Sequence, residues 1–137
     1  IHLDQDQFAK PEQEIPLIRD RIDWEKPESI DWAKWKAAIA NALKKHRYVI
    51  AEGIFALSDQ TLVQQASLTI LLQLNESEFK ARRKRETRWG EEPEWFIQHV
   101  WEAHQVHHNP HHIHPDLSIR NYTDRDILHI IERLKSN

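Results

Sequence analysis

The chain has no cysteine, no methionine and only two glycines among its 137 residues. Without cysteine it can build neither a disulfide framework nor a thiolate metal site, which fits a cytoplasmic protein. Without methionine it has no initiator, so a natural N-terminus upstream of Ile1 is expected. No apolar run reaches membrane-spanning length and no signal peptide is present, which argues against a membrane partner. Neither sign of charge dominates. With 19 basic and 22 acidic residues the formal net charge is -3, so the global basic footprint of a nucleic-acid binder is excluded and any anion site must be local. Internal repeats and low-complexity tracts are missing too. What is there suits one soluble domain over residues 1–137, with 39% hydrophobic and 30% charged residues.

Apolar patterning predicts strands alternating with helices. Ile1 to Asp4 reads as the end of a short strand, and the polar stretch to about residue 28 as loop. Ser29 is a candidate N-cap for a helix to about Lys45, with Ile30, Trp35, Ile39, Ala42 and Leu43 on its apolar face. Tyr48 to Glu52 and "LTILLQL", Leu68 to Leu74, are nearly all apolar, as strands buried on both faces of a parallel sheet are. Asn75 caps a basic helix over about Glu76 to Arg88. Pro93 opens another, to about His108, carrying Trp95, Phe96, Val100 and Trp101. Leu117 to Asn121 is a short strand. Thr123 and Asp126 form a capping box for a last helix with Ile127, Ile130, Ile131 and Leu134 inward. The alternation predicts an α/β fold with a parallel sheet.

Ligands of such sheets bind beyond the carboxyl ends of the strands. Asp4 and Asp6 lie just past the first strand and Glu52 closes the second, so parallel pairing brings three carboxylates to one crevice. Position alone leaves open a second reading, in which Asp4 and Asp6 are solvated and Glu52 caps a turn at Gly53. The basic helix, with Arg82, Arg83, Arg85 and Arg88, follows the third strand and so starts at the same sheet edge. Carboxylates able to hold Mg²⁺, opposed by guanidinium groups suited to phosphate, describe a phosphoryl-transfer site.

Five stretches then carry a resemblance: "QDQFAKPE" (Gln5 to Glu12), "DWEKPESIDW" (Asp23 to Trp32), "VIAEGIFAL" (Val49 to Leu57), "ARRKRE" (Ala81 to Glu86) and "PEWFIQHVWEAH" (Pro93 to His104). In this order, and over nearly the whole chain, they resemble the uridine kinase and nicotinamide riboside kinase family of P-loop kinases. The "HVW" helix is most similar to the nicotinamide riboside kinase branch. The resemblance implies a monomer with a three-layer P-loop kinase-like fold, a parallel sheet and a helical lid over about residues 76–110. It also implies transfer of a phosphoryl group from ATP, with Mg²⁺, to the 5'-hydroxyl of a ribonucleoside. By that resemblance Asp6 is the general base or orienter of the hydroxyl, and Glu52 faces Mg²⁺ through water, with Gly53 allowing close backbone approach. Asp23 accepts hydrogen bonds from the ribose hydroxyls. An arginine helps it: the aligned pattern favours Arg82 and Arg85, and a slip of one residue favours Arg83. Arg85 and Arg88 are lid residues that approach the phosphates on closure. Trp24, Trp95, Phe96 and Trp101 are candidates for base stacking or for the core.

The chain departs from the family in lacking the glycine-rich turn that ends in Lys and Ser or Thr and cradles phosphate. The resemblance places that turn, with a central strand and a helix, upstream of Ile1. Without it the expected protein is a kinase-like nucleoside-binding module that does no catalysis. Seven histidines, His99, His104, His107, His108, His111, His112 and His114, crowd one stretch. They admit a third reading, a Zn²⁺- or Ni²⁺-binding protein, against a solvated linker as the default.

Overall fold

Short apolar runs that end in carboxylates form the first of two parallel strand pairs. The computed structural model describes residues 1–88, 90–107, 114–120 and 123–136. Strand β1 (His2–Asp4) pairs in parallel with β4 (Ile50–Glu52), in a register that sets Asp4 beside Glu52. Strand β5 (Ile70–Gln73) pairs in parallel with β6 (Leu117–Arg120) as a separate two-stranded sheet. Thr69 fixes the start of that pair, its backbone N–H and its hydroxyl both donating to Asp116 Oδ2 at 2.7 Å. The fold is therefore mixed helix and strand with small parallel sheets.

Burial of these strands is less than their composition predicts. All three residues of β4 are exposed, Ile50 by 62%, and Leu72 on β5 is 64% exposed. Each pair stands alone as two strands among the described residues, so nothing covers both faces. The expectation of strands buried on both sides is corrected accordingly.

The core lies instead between the segment after β1 and helix α1 (Trp32–Leu43). Trp35 and Phe55 are fully buried with Ile30, and Leu3, Phe8, Ile39 and Leu62 lie against them. Phe8 meets Trp35 edge-on at 5.1 Å between ring centroids. The cap of α1 is Asp31, whose Oδ1 accepts from Lys34 N–H, and not Ser29. Ser29 is buried in a short 3-10 turn, where its hydroxyl donates to the carbonyl of Trp24 or of Lys26. Leu43, placed on the apolar face by spacing, is 54% exposed. The expected loop to residue 28 also contains a small hairpin, β2 (Leu17–Ile18) with β3 (Arg21–Ile22), turned through Arg19 at φ 56°.

A short helix α2 (Gln60–Gln65), capped by Asp59, leads into β5. Helix α3 (Glu76–Arg85) starts as expected at Asn75, whose side chain accepts from Glu78 N–H while Glu78 accepts from Asn75 N–H. Helix α4 (Glu94–His107) follows Pro93 and buries Phe96, Ile97 and Val100. Ionic and polar contacts join α3 to α4 and the segment before it: Arg83 to Glu92, Lys84 to Glu94 and Lys80 to Gln98, with Phe79 and Trp101 5.4 Å apart beside them. Helix α5 (Asp124–Ser136) begins where Thr123 N–H donates to Asp126 Oδ2 at 2.6 Å. Its Ile127 and Ile131 are 46% and 41% exposed, so its apolar stripe is only partly covered. Among the described residues no helix is long and apolar enough to cross a membrane.

Candidate active site

The parallel register of β1 and β4 decides where the first set of carboxylates goes. Asp4 and Glu52 end adjacent strands, and Asp6 follows in a 3-10 turn, its N–H donating to Asp4 Oδ1 at 2.9 Å. Partial burial, and after it the negative charges of Asp4 and Glu52, push the Asp6 carboxyl above the ordinary range. Asp4, Asp6 and Glu52 are thus brought together as expected. The strand beneath them is exposed, however, and Glu52 faces His2, Oε1 to Nε2 at 3.1 Å, with its side chain 54% exposed.

Gly53 does allow a close approach, and the approaching group is Gln5. A Cβ at Gly53 would collide with Gln5 Cβ. Gln5 is fully buried, with Oε1 accepting from Phe55 N–H at 3.0 Å and Nε2 unpartnered among the described residues. It carries the turn that presents Asp6, a role that the sequence signals only by its place beside Asp6.

Backbone bonds tie this turn to a second cluster. Lys10 N–H donates to Ser29 O and Asp31 N–H to Phe8 O, both at 2.8 Å, so the Asp6 turn and the loop Asp23 to Ser29 are braced together. Asp23, 1% exposed, has both oxygens engaged: Oδ1 lies 2.8 Å from His99 Nε2, and Oδ2 lies 3.2 Å from Lys26 Nζ. Burial raises its pKa, but the bonds from His99 and Lys26 outweigh burial and hold it below the usual carboxylate range.

Glu25 is the contrast. It is 8% exposed, and among the described residues it accepts no hydrogen bond and makes no ion pair. Burial pushes its carboxyl up to about 7, against the lowering charge of Arg83. Its oxygens are not among the fully buried unpartnered atoms, so solvent reaches a carboxyl that no described donor serves. Glu25 is thus the carboxyl without a protein donor and Asp23 the engaged one, a distinction that spacing does not carry. The available signal was a second carboxyl one residue past Trp24.

The arginines divide. Arg83 donates to Glu92 from Nε at 2.6 Å and Nη2 at 2.9 Å, and its charge acts on Glu25. Of the two arginines considered for the ribose, Arg83 is the one in this cluster. Arg82 is exposed, with no side-chain partner among the described residues, and Arg85 Nε donates to Ala81 O in its own helix. Arg88 pairs with Glu86 at 2.6 Å. Among the described residues no hydrogen bond or ion pair links Arg82 or Arg85 to Asp4, Asp6 or Glu52. Of the aromatic candidates Phe96 is core, Trp95 lies under Arg19 at 4.3 Å, and Trp101 meets Phe79. Trp24, half-buried beside Glu25, is the one without a ring partner among the described residues.

A divalent cation can be judged against these groups. Among the described residues no three His, Cys, Asp or Glu side chains form a ligand set. Mg²⁺ needs less, since it usually takes one or two carboxylates and completes its shell with water and phosphate. Asp4 and Glu52, side by side at the ends of paired strands, are carboxylates of the kind that such an ion takes. The histidine stretch is only partly described: His104 and His107 close α4, while His108, His111 and His112 lie outside the described residues. The chain matches no protein-family model and no curated protein sequence.

Proposed function

We propose that this chain is the body of a nucleoside kinase, of the P-loop kinase-like fold, that phosphorylates the 5'-hydroxyl of a ribonucleoside of nicotinamide riboside or uridine/cytidine type with ATP. The reading rests on one observation above all, the parallel register that brings Asp4, Asp6 and Glu52 to one strand end. Asp6 orients the hydroxyl and takes up its proton as the new O–P bond forms. Its raised pKa suits it to that better than an ordinary carboxylate. Glu52 would hold Mg²⁺, which when bound would neutralise charge on the phosphates. Glu25, with the neighbouring Arg83, grips the ribose hydroxyls, while Asp23 is held by His99 and Lys26 as part of the frame. Arg85 and Arg88 close on the phosphates as part of the lid.

The reaction also needs a glycine-rich phosphate loop, and none of the 137 residues supplies one. A second reading stands beside it, a module that binds ribonucleoside without phosphorylating it. The test is to read the gene upstream of Ile1 for such a loop ending in Lys-Ser or Lys-Thr, and to assay the encoded protein for ATP consumption. Consumption only when riboside is added supports the kinase. Riboside binding without a phosphorylated product supports the module. Neither binding nor turnover with nicotinamide riboside, uridine or cytidine sinks both readings. Saturating, stoichiometric Zn²⁺ uptake that is lost on replacing His107, His108, His111 and His112 would then move the assignment to the histidine stretch.

A further inference from the structure

Gln5 touches both of the segments that carry the first carboxylate cluster. It stands between Asp4 and Asp6 in the chain and is the one buried residue of the 3-10 turn Gln5–Phe8. Across the gap, its Oε1 accepts from Phe55 N–H at 3.0 Å, just past Glu52. Its side chain also lies so close to Gly53, the neighbour of Glu52, that no Cβ fits between them. The paired register of β1 and β4 ends at Asp4 and Glu52. Asp6 lies beyond it, fixed on one side by the bond from its N–H to Asp4 Oδ1. Where the strand ladder stops, the Gln5 amide ties the turn to the exit of β4.

That amide is an expensive way to fill a core position. Nε2 is fully buried and has no partner among the described residues. A buried donor without an acceptor is destabilising, and an apolar side chain of the same length would avoid it. Only the oxygen is used, and it is used on the backbone beside Glu52. Residues that break a packing rule in this way gather where function sets the geometry.

We propose that Gln5 is a positioning residue of the carboxylate cluster: by holding Phe55 N–H and packing on Gly53 it fixes the Asp6 turn against the end of β4, and so sets where Asp6 stands relative to Glu52. This rests on the reading of the site given above. Proton uptake by Asp6 requires it to meet the hydroxyl at a set distance from the group held at Glu52, and a misplacement of about 1 Å costs about 10²-fold in rate. Gln5 itself, shut off from solvent, touches no substrate.

The experiment uses the full-length encoded protein and compares wild type with two variants. Gln5→Met keeps the length and removes the amide, and Gln5→Asn keeps the amide and shortens its reach. The readouts are kcat and riboside KM at saturating ATP and Mg²⁺, with thermal unfolding beside them. Each variant is expected to lose about 10- to 100-fold in kcat while riboside KM changes less than about twofold. In an Asp6→Asn background the same substitutions should add less than about twofold, because the residue they act through is already gone. A residue that only stabilises the core gives another pattern: an added loss in the Asp6→Asn background as large as in wild type, or kcat and KM worsening together as the melting temperature falls. Either result overturns the inference, as does full kcat in both variants. If Gln5→Met does not fold, Gln5→Asn decides by the same measures, and failure of both to fold makes Gln5 a core residue and overturns the inference too. Wild-type protein that phosphorylates none of nicotinamide riboside, uridine and cytidine overturns the site reading and this inference with it. Unimpaired variants beside an active wild type overturn this inference alone.

Discussion

His99 Nε2 lies 2.8 Å from Asp23 Oδ1, joining helix α4 to the loop after β3 at a side chain only 2% exposed. The two residues are 76 positions apart in sequence, so the contact sets tertiary structure and not local conformation. Replacing His99 by Ala leaves Lys26 as the remaining partner of a buried carboxylate, and the variant should lose about 2–3 kcal/mol at neutral pH. His99→Gln, which keeps a donor, should recover part of that loss. Because the folded pKa of Asp23 lies below its ordinary value of 3.8, its contribution is present above that pH. The contribution disappears as pH falls through the lower, folded value. Urea denaturation at neutral and acidic pH checks this, and a His99→Ala variant as stable as wild type would sink it.

Glu25 behaves in the opposite sense. Its folded pKa of about 7 lies above the ordinary 4.5, so the folded state binds the extra proton. Stability from this group is full below about 4.5 and is lost as pH rises to about 7. Glu25→Gln should therefore be more stable than wild type at pH 8, by roughly 3 kcal/mol at most, and no more stable at the lowest pH tested. In the same variant, if Glu25 grips the ribose, riboside affinity should drop while the melting temperature at pH 8 rises. A Glu25→Gln variant that loses stability at pH 8 would mean the carboxylate has a partner.

Gly53 has no room for a side chain. An alanine there would drive its Cβ into the Cβ and amide of buried Gln5, at a cost of about 1–3 kcal/mol or more. Since Gln5 carries the turn of Asp6, Gly53→Ala should also lower turnover more than riboside affinity. Thermal unfolding and steady-state kinetics of one variant test both halves.

On the proposed kinase reading, Asp6→Asn removes the group that takes the hydroxyl proton but leaves the Glu25 cluster in place. The expected result is a fall in kcat of about 10²- to 10⁴-fold with little change in riboside affinity. Full turnover by Asp6→Asn removes Asp6 from the mechanism and leaves the binding cluster unaffected.

Those features of the fold that depend on near neighbours in the chain were legible in the sequence. The Asn75 cap, Pro93 ahead of α4, and the strands that end at Asp4 and Glu52 all appear close to their expected positions. Burial was less legible, because it depends on what lies across a face. Ile50 and Leu72 read as interior residues and are exposed on isolated strand pairs. Local competition also misled: Ser29 has the chemistry of a helix cap, but its hydroxyl is engaged with the carbonyls before it, and Asp31 takes the role. In the candidate site, Asp23 and Glu25 are equivalent by spacing. Only Lys26 nearby and His99 on the distant helix α4 separate the engaged carboxylate from the one without a protein donor.

Helix α3 carries almost no apolar surface, and this makes its attachment sensitive to ionic strength. The Lys84–Glu94 pair is 50% and 78% exposed, and ions weaken such a contact strongly once the Debye length falls to about 3 Å near 1 M salt. The Arg83–Glu92 pair, sheltered to 24% and 7%, is screened far less. Salt thus weakens the contact of Lys84 before that of its chain neighbour Arg83, and leaves the uncharged contact of Phe79 with Trp101 to hold the helix.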